Sequence, residues 1–281
     1  MTRKYFMFPG FKYKAVTLSY DDGVRQDKRL ISIMQQYGLK GTFNINSGLF
    51  SDEQSEVERG RMTPDEAYAL YTASGMEVAS HGYKHLHLAN IDTAIATYDV
   101  INDRVELERL FDTVIKGMAY AFGNYSDSVV DILKKCGISY CRTTISTEKF
   151  DIPGDWLRLP ATCHHNNPKL MELAERFVEG MGQSEKWTKT PRLFYLWGHS
   201  YEFDNNDNWD VIVRFAEYIG GRDDIWYATN GEIYDYVQAY DRLCFSADGS
   251  LVYNPSAITV YIQCADKQFV IAPMETVRIA E

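Results

Sequence analysis

Short apolar segments alternate along this chain with longer stretches in which apolar residues recur every three or four positions. Ala15–Ser19, Gly41–Ile45, Met76–Ser80, Gly117–Ala121, Ile138–Arg142, Arg192–Trp197 and Ile225–Thr229 read as strands. Arg25–Tyr37, Pro64–Ser74, Asp92–Asp112, Ser126–Cys136, Pro168–Gly180, Asp207–Ile219 and Gly231–Tyr240 read as helices. Thr63 before Pro64, with Asp65 and Glu66 following, is a helix-start pattern. Residues 47–63 are polar and read as a loop with a short helix. Such alternation implies parallel strands joined by right-handed crossovers. With seven or eight repeats and no glycine-rich nucleotide motif, a (β/α) barrel is favoured over an open sheet.

Near Asp241 the pattern changes. Leu243–Ser246, Leu251–Tyr253, Ile258–Gln263, Gln268–Ile271 and Val277–Ile279 read as short strands separated by Asp-Gly, Asn-Pro and Asp-Lys turns. The expected organisation is an α/β barrel over residues 1–240, with a small β appendage over 241–281 packed on it.

Charge narrows the partners. With 29 basic and 39 acidic residues the net charge is −10, and no basic run is present to hold nucleic acid or an anionic membrane. The five cysteines, Cys136, Cys141, Cys163, Cys244 and Cys264, include no CxxC pair and read as reduced thiols. The apolar stretch Tyr5–Phe8 is broken at once by Pro9, Gly10, Lys12 and Lys14, too short for a leader's apolar region. No transmembrane span is read, and a cytoplasmic location is the expectation.

Two strand ends carry the chemistry. Asp21-Asp22-Gly23 follows the first strand, and His81 and His85 follow the third. Polar residues at strand ends of an α/β barrel face a shared mouth. Two Asp and two His suit one divalent metal plus one free carboxylate base, a hydrolytic arrangement. Adjacent residues on an extended strand point opposite ways, so only one of the two aspartates easily ligates. The four-residue spacing of His81 and His85 is read as one face of a helical turn, with His87 facing away. His164 and His165 are read as lying in a loop, lining a groove or binding a second metal.

These residues resemble the polysaccharide deacetylases, the NodB-homology family of carbohydrate esterases. Ser19-Tyr20-Asp21-Asp22-Gly23 matches its first motif, with Ser and Tyr in place of Thr and Phe. His81-Gly82-Tyr83-Lys84-His85 matches its second, with Gly in place of a hydroxyl residue. The resemblance spans roughly residues 15–230. It implies a distorted (β/α) barrel, a divalent metal such as zinc on Asp22, His81 and His85, and Asp21 as general base. Ala119-Tyr120-Ala121-Phe122-Gly123 keeps the Phe-Gly of the third motif but lacks its Arg and Pro. The family's Arg holds the base, and the amide at the Phe122 position helps hold the oxyanion. Arg142, closing the next strand, is the candidate replacement. The fourth motif survives loosely as Asp151-Ile152-Pro153-Gly154-Asp155-Trp156, leaving either Asp151 or Asp155 as charge partner of the catalytic His. The fifth, an apolar strand ending in His, matches Leu193–His199 and implies His199 as general acid. Trp197, Tyr20, His164 and His165 are the candidate substrate-facing residues.

The combined reading is a metal-dependent deacetylase of an N- or O-acetylated carbohydrate. Two rivals stand beside it: an amide or ureide hydrolase of a small non-sugar, and a metal-bearing, carbohydrate-binding relic.

Overall fold

The computed structural model describes residues 5–58, 60–180 and 190–280. A two-residue strand, β1 (Phe6–Met7), precedes the main sheet. That sheet contains β2 (Lys14–Asp21), β3 (Gly41–Ile45), β4 (Glu77–Ser80), β5 (Gly117–Ala119), β6 (Tyr140–Ser146), β7 (Leu159–Ala161), β8 (Cys163–His164), β9 (Arg192–Gly198) and β10 (Ile225–Tyr227). The strand order is β7-β6-β5-β4-β3-β2-β9-β8, with β10 on β2, and every pairing is parallel.

The two ends of that order, β7 and β8, are consecutive in the chain with only Thr162 between them. Residues 159–161 pair with β6, residues 163–164 pair with β9, and the Thr162 amide donates to Tyr195 O. The sheet thus curls into a distorted barrel. This corrects the reading of His164 as a loop residue. Pro160 and the polar Thr162 hide the strand from apolar patterning, and its hydrogen bonds are supplied by two different neighbours.

The helices are α1 (Asp27–Gln36), α2 (Gln54–Glu58), α3 (Pro64–Ser74), α4 (Thr93–Phe111), α5 (Asp127–Lys135), α6 (Leu170–Glu179), α7 (Tyr201–Asn205), α8 (Trp209–Ile219) and α9 (Asn230–Asp241). The start of α3 is a full capping box: Thr63 Oγ1 accepts from the Glu66 amide and the Glu66 carboxylate from the Thr63 amide. Leu30, Ile31 and Met34 of α1 join Tyr20, Phe43, Phe203 and Phe215 in the layer between sheet and helices. Each such side chain contributes roughly 1.5–3 kcal/mol by leaving water. No helix among the described residues is long and apolar enough to cross a membrane.

Alternation along β2 sorts its side chains. Tyr20 turns outward into that apolar layer, while Ser19 and Asp21 turn into the barrel. The interior is polar and closely hydrogen-bonded. Asn230, at the start of α9, bonds Thr17, Ser19 and Tyr195, and Glu77 accepts from Thr42, Tyr140 and the Gly231 amide.

The C-terminal region forms β11 (Cys244–Phe245), β12 (Leu251–Tyr253), β13 (Val260–Cys264), β14 (Lys267–Ile271) and β15 (Thr276–Arg278). These make two three-stranded antiparallel sheets, β11-β12-β15 and β1-β13-β14. The N-terminal strand therefore belongs to the appendage ladder, with Phe6 opposite Ile262. Phe6 and Phe8 pack with Tyr236 and Tyr240 of α9 and with Val252, Val260 and Ile271, so one core joins appendage to barrel.

Candidate active site

The C-terminal ends of β2, β4 and β9 and the interior of β6 bring the chemistry together; Arg142 does not close its strand as expected, because β6 runs on to Ser146. Asp21, the last residue of β2, is 2% exposed. Its Oδ1 accepts from Asn44 Nδ2 at 2.8 Å, and its Oδ2 accepts from Arg142 Nη2. Arg142 is equally buried, donates through Nη1 to Thr143 O and lies 4.3 Å over the Trp197 ring. Burial by itself would push the Asp21 carboxyl up. The guanidinium, aided by His81 and His199, outweighs it and holds the carboxyl at about 2.

Asp22 leaves the strand in a left-handed conformation, φ 80°, with its carbonyl held by Arg61 Nη1 at 3.1 Å. That turn separates the two carboxylates. Asp22 Oδ1 lies 3.5 Å from His85 Nε2 and 3.7 Å from His81 Nε2, and the two Nε2 atoms are 3.2 Å apart. His81 Nδ1 donates to Ala119 O at 2.9 Å, which turns the Nε2 lone pair to the site. Burial, then the neighbouring His81, pushes His85 down to about 4, so its ring is neutral near pH 7. A tetrahedral zinc site with bonds of roughly 2.0–2.2 Å has edges of roughly 3.3–3.6 Å. The donor set and its separations fit a divalent ion.

His81 and His85 meet through an irregular turn, not the helical turn expected from their spacing. Gly82 (φ 81°) and His85 (φ 53°) are both left-handed, and a Cβ on Gly82 would fall 2.6 Å from Asp99 Oδ2. Buried Asp103 fastens this turn, accepting from Ser47, Ser80 and the His81 amide. His87 does not join the donors. Its ring stacks on Phe122, centroids 3.8 Å apart at 8°. Phe122 is 56% exposed, left-handed (φ 57°) and packs edge-on against His85. Non-glycine residues in this region cost of order 1–3 kcal/mol each, and Asp22, His85 and Phe122 all border one site.

His199 closes the other side. Its Nε2 is 3.9 Å from Asp21 Oδ2, and its Nδ1 lies 3.0 Å from Glu202 Oε1. Burial would lower its pKa, but the bond to Glu202 and the charges of Asp21 and Asp22 raise it above the ordinary histidine value. The partner of His199 is thus Glu202, and neither Asp151 nor Asp155. Asp151 is exposed, and Asp155 caps the turn at Leu157 and pairs with Arg158. Glu202 went unread because it lies in α7, after the strand. The available signal was an acid three residues beyond His199 at a helix start.

Among the substrate-facing candidates, Tyr20 is corrected. It is 1% exposed in the apolar layer, stacked with Phe43 and His165. Trp197 is 8% exposed and forms the floor beneath Arg142, with its edge toward His164 at 4.5 Å. His164 is partly exposed at the mouth; burial, then the neighbouring His165, pushes it down to about 4. His165 is wholly buried. Asn44 was missed: a polar residue near the end of β3, next to β2, was its only mark.

Fold and side chains together define a distorted (β/α) barrel with an Asp-His-His donor set beside an Arg-held carboxylate. Residues 10–141 match the family model described as polysaccharide deacetylase. Both motifs read from Asp21–Gly23 and His81–His85 lie inside that stretch, which is just under half of the chain. Arg142, His199 and Glu202 lie beyond it. Among solved structures, a Mycobacterium smegmatis protein provisionally assigned as a polysaccharide deacetylase is 15% identical, with 84% of this chain and 94% of that one covered and a TM-score of 0.59. A Bacillus anthracis mutant of a family 4 carbohydrate-esterase pseudoenzyme, with restored enzymatic activity, is 14% identical, with 81% and 69% covered and a TM-score of 0.51. The chain spans 62% of a Streptococcus pyogenes deacetylase, with half of this chain covered, 18% identity and a TM-score of 0.45. No curated protein matches the chain. At these identities the first two structures establish the shared fold, and a fold that also serves a pseudoenzyme leaves activity to be argued from the side chains.

Proposed function

We propose that this protein is a metal-dependent deacetylase that hydrolyses acetyl groups from an N- or O-acetylated carbohydrate. The observation that carries the reading is the convergence of Asp22, His81 and His85 beside the Asp21–Arg142 pair, with His199 opposite. The family match over residues 10–141 supports the acetyl-carbohydrate class.

Asp22, His81 and His85 would hold the ion. A divalent ion there supplies polarisation of the acyl carbonyl and a more acidic water. Asp21, ionised and fixed by Arg142 and Asn44, accepts the proton of the attacking water. The Phe122 amide, on its left-handed turn, bonds the oxygen that gains charge. Glu202 holds Nδ1–H of His199, so Nε2 presents its proton to the departing nitrogen or oxygen. Trp197 keeps the guanidinium flat against the floor and excludes water from the Arg142–Asp21 pair.

The test is acetate release from a panel of acetylated mono- and oligosaccharides, with small amides and ureides assayed in parallel. The reading expects acetate from the sugars, loss with chelator and recovery with zinc. Ammonia release from a small amide alone would support the non-sugar rival. Inactivity on every substrate with the ion bound would favour the relic.

A further inference from the structure

Glu202 faces two sets of partners. Its Oε1 serves His199, while its Oε2 lies 2.9 Å from His165 Nε2 and 3.4 Å from His164 Nε2. These three residues come from two places in the chain: the adjacent His164 and His165 at the end of β8, and Glu202 in the first turn of α7. Their donor atoms all lie within 4.8 Å of one another.

The site is built. His165 is fully buried, stacked between Tyr20 (5.7 Å) and Phe203 (4.2 Å). Its other nitrogen, Nδ1, presses on Gly198, where a Cβ would fall 2.0 Å away. Ring and edge are therefore fixed, with Nε2 toward Glu202. The side chains of His164 and Glu202 keep 22% and 23% exposure, which leaves an approach from the mouth. A tetrahedral cation bonded to each donor at roughly 2.0–2.2 Å spaces donors roughly 3.3–3.6 Å apart; the 3.4 Å separation of His164 from Oε2 falls in that range, and the 2.9 Å hydrogen-bond contact of His165 opens by a few tenths of an ångström to admit the ion. Two imidazoles and a carboxylate select a borderline-soft ion such as Zn²⁺, Co²⁺ or Ni²⁺ over Mg²⁺ or Ca²⁺.

We propose that His164, His165 and Glu202 form a second transition-metal site, distinct from Asp22-His81-His85, and that filling it slows turnover by competing with His199 for Glu202. The inhibitory half rests on the reading of His199 as proton donor; the binding half does not.

Zinc content of the full chain, measured after equilibrium dialysis near pH 7.5, tests the binding half. Two equivalents are expected for the wild type, one each for Asp22→Ala and His164→Ala, and none for the double variant. His164 is partly exposed, so its truncation spares the core. One equivalent in the wild type and none in a folded Asp22→Ala protein would overturn the site. A visible Co²⁺ spectrum retained in Asp22→Ala and lost in the double variant gives an independent readout. For the inhibitory half, added zinc should slow the wild type several-fold and His164→Ala far less; equal slowing of both overturns that half. Inactivity of a His164→Ala protein that holds only the first-site equivalent, together with inactivity of the wild type, would instead count against the deacetylase reading.

Discussion

Arg142 and Asp21 stand 121 positions apart in the chain and meet as a buried pair across the barrel, Nη2 donating to Oδ2. The Ala119–Gly123 segment, the nearer strand end to His81, ends in the Ala121–Gly123 turn and contains no arginine. The guanidinium comes instead from the neighbouring strand, β6, whose Arg142 is in register with Ala119 of β5. A one-strand shift in origin leaves the charge in place because adjacent parallel strands are only about 4.8 Å apart.

Arg142→Ala should raise the acid limb of the rate profile and cut turnover, because Asp21 then keeps burial without its cation. Leaving one buried charge unpaired should also cost about 3–5 kcal/mol of stability. Arg142→Lys should rescue little, since an ammonium neither stacks on Trp197 nor reaches in the same plane. Chemical denaturation and pH–rate profiles of the three proteins check this; an unchanged acid limb in Arg142→Ala would refute the pairing role.

Asp27 gives a stability prediction with a definite sign. It is wholly buried and accepts from Ser200 Oγ, Tyr71 Oη and the Val24 amide. Burial raises it to about 7 in spite of those bonds. An unfolded Asp releases its proton near roughly 4, whereas the folded chain keeps this one until about 7. The folded state therefore binds the extra proton, and stability falls as pH rises through that window, by at most about 4 kcal/mol. Asp27→Asn should flatten that fall. Urea midpoints from pH 5 to 8 decide it, and parallel slopes for both proteins would sink the idea.

His81→Ala and His85→Ala should each lose the first-site ion. Metal analysis by emission spectrometry is the measurement, and full occupancy in both variants would exclude this donor set. His81→Ala should cost stability as well, because it removes the bond to Ala119 O inside the barrel wall; a lost bond of this kind is worth about 1 kcal/mol.

His199→Ala should lower turnover by roughly 10²–10⁴-fold, the usual range for a general acid. Glu202→Gln should bring the basic limb down toward ordinary histidine values, since the bond to Glu202 is the largest of the effects that raise His199 against burial, ahead of the charges of Asp21 and Asp22. An activated aryl acetate, whose leaving group needs no proton, should be spared in both variants. Equal losses on aryl ester and amide would make His199 a positioning residue.

Much of this protein is legible in its sequence. β3 and α3 fall at the residues that strand patterning and the Thr63-Pro64 start pattern mark. Asp22, His81 and His85 lie at strand ends that local pattern locates, so their convergence follows once the strands are parallel. Arg142 was legible as a neighbour but not at its true place: the pattern ends the strand at Arg142, whereas β6 runs on to Ser146, and Arg142 reaches Asp21 from inside the strand because it is in register with Ala119, the last residue of β5.

What tertiary structure alone decided is every feature that depends on a side chain's direction or on a partner far away in sequence. Tyr20 sits inside a motif yet faces the helices, because strand alternation puts only Ser19 and Asp21 inside. Residues 159–164 became the strands that close the sheet because β6 pairs with 159–161 and β9 with 163–164, which no local propensity records. The fold replaced Asp151 and Asp155 by Glu202, since α7 starts directly after β9 and returns its first turn to His199. Spacing alone suggested a helical turn for His81 and His85; the left-handed backbone at Gly82 and His85, fastened by Asp103 from α4, is what aims both rings. Sequence fixes which groups stand at the ends of strands. The direction each one points depends on the packing of elements distant in the chain, and that packing is a property of the whole barrel.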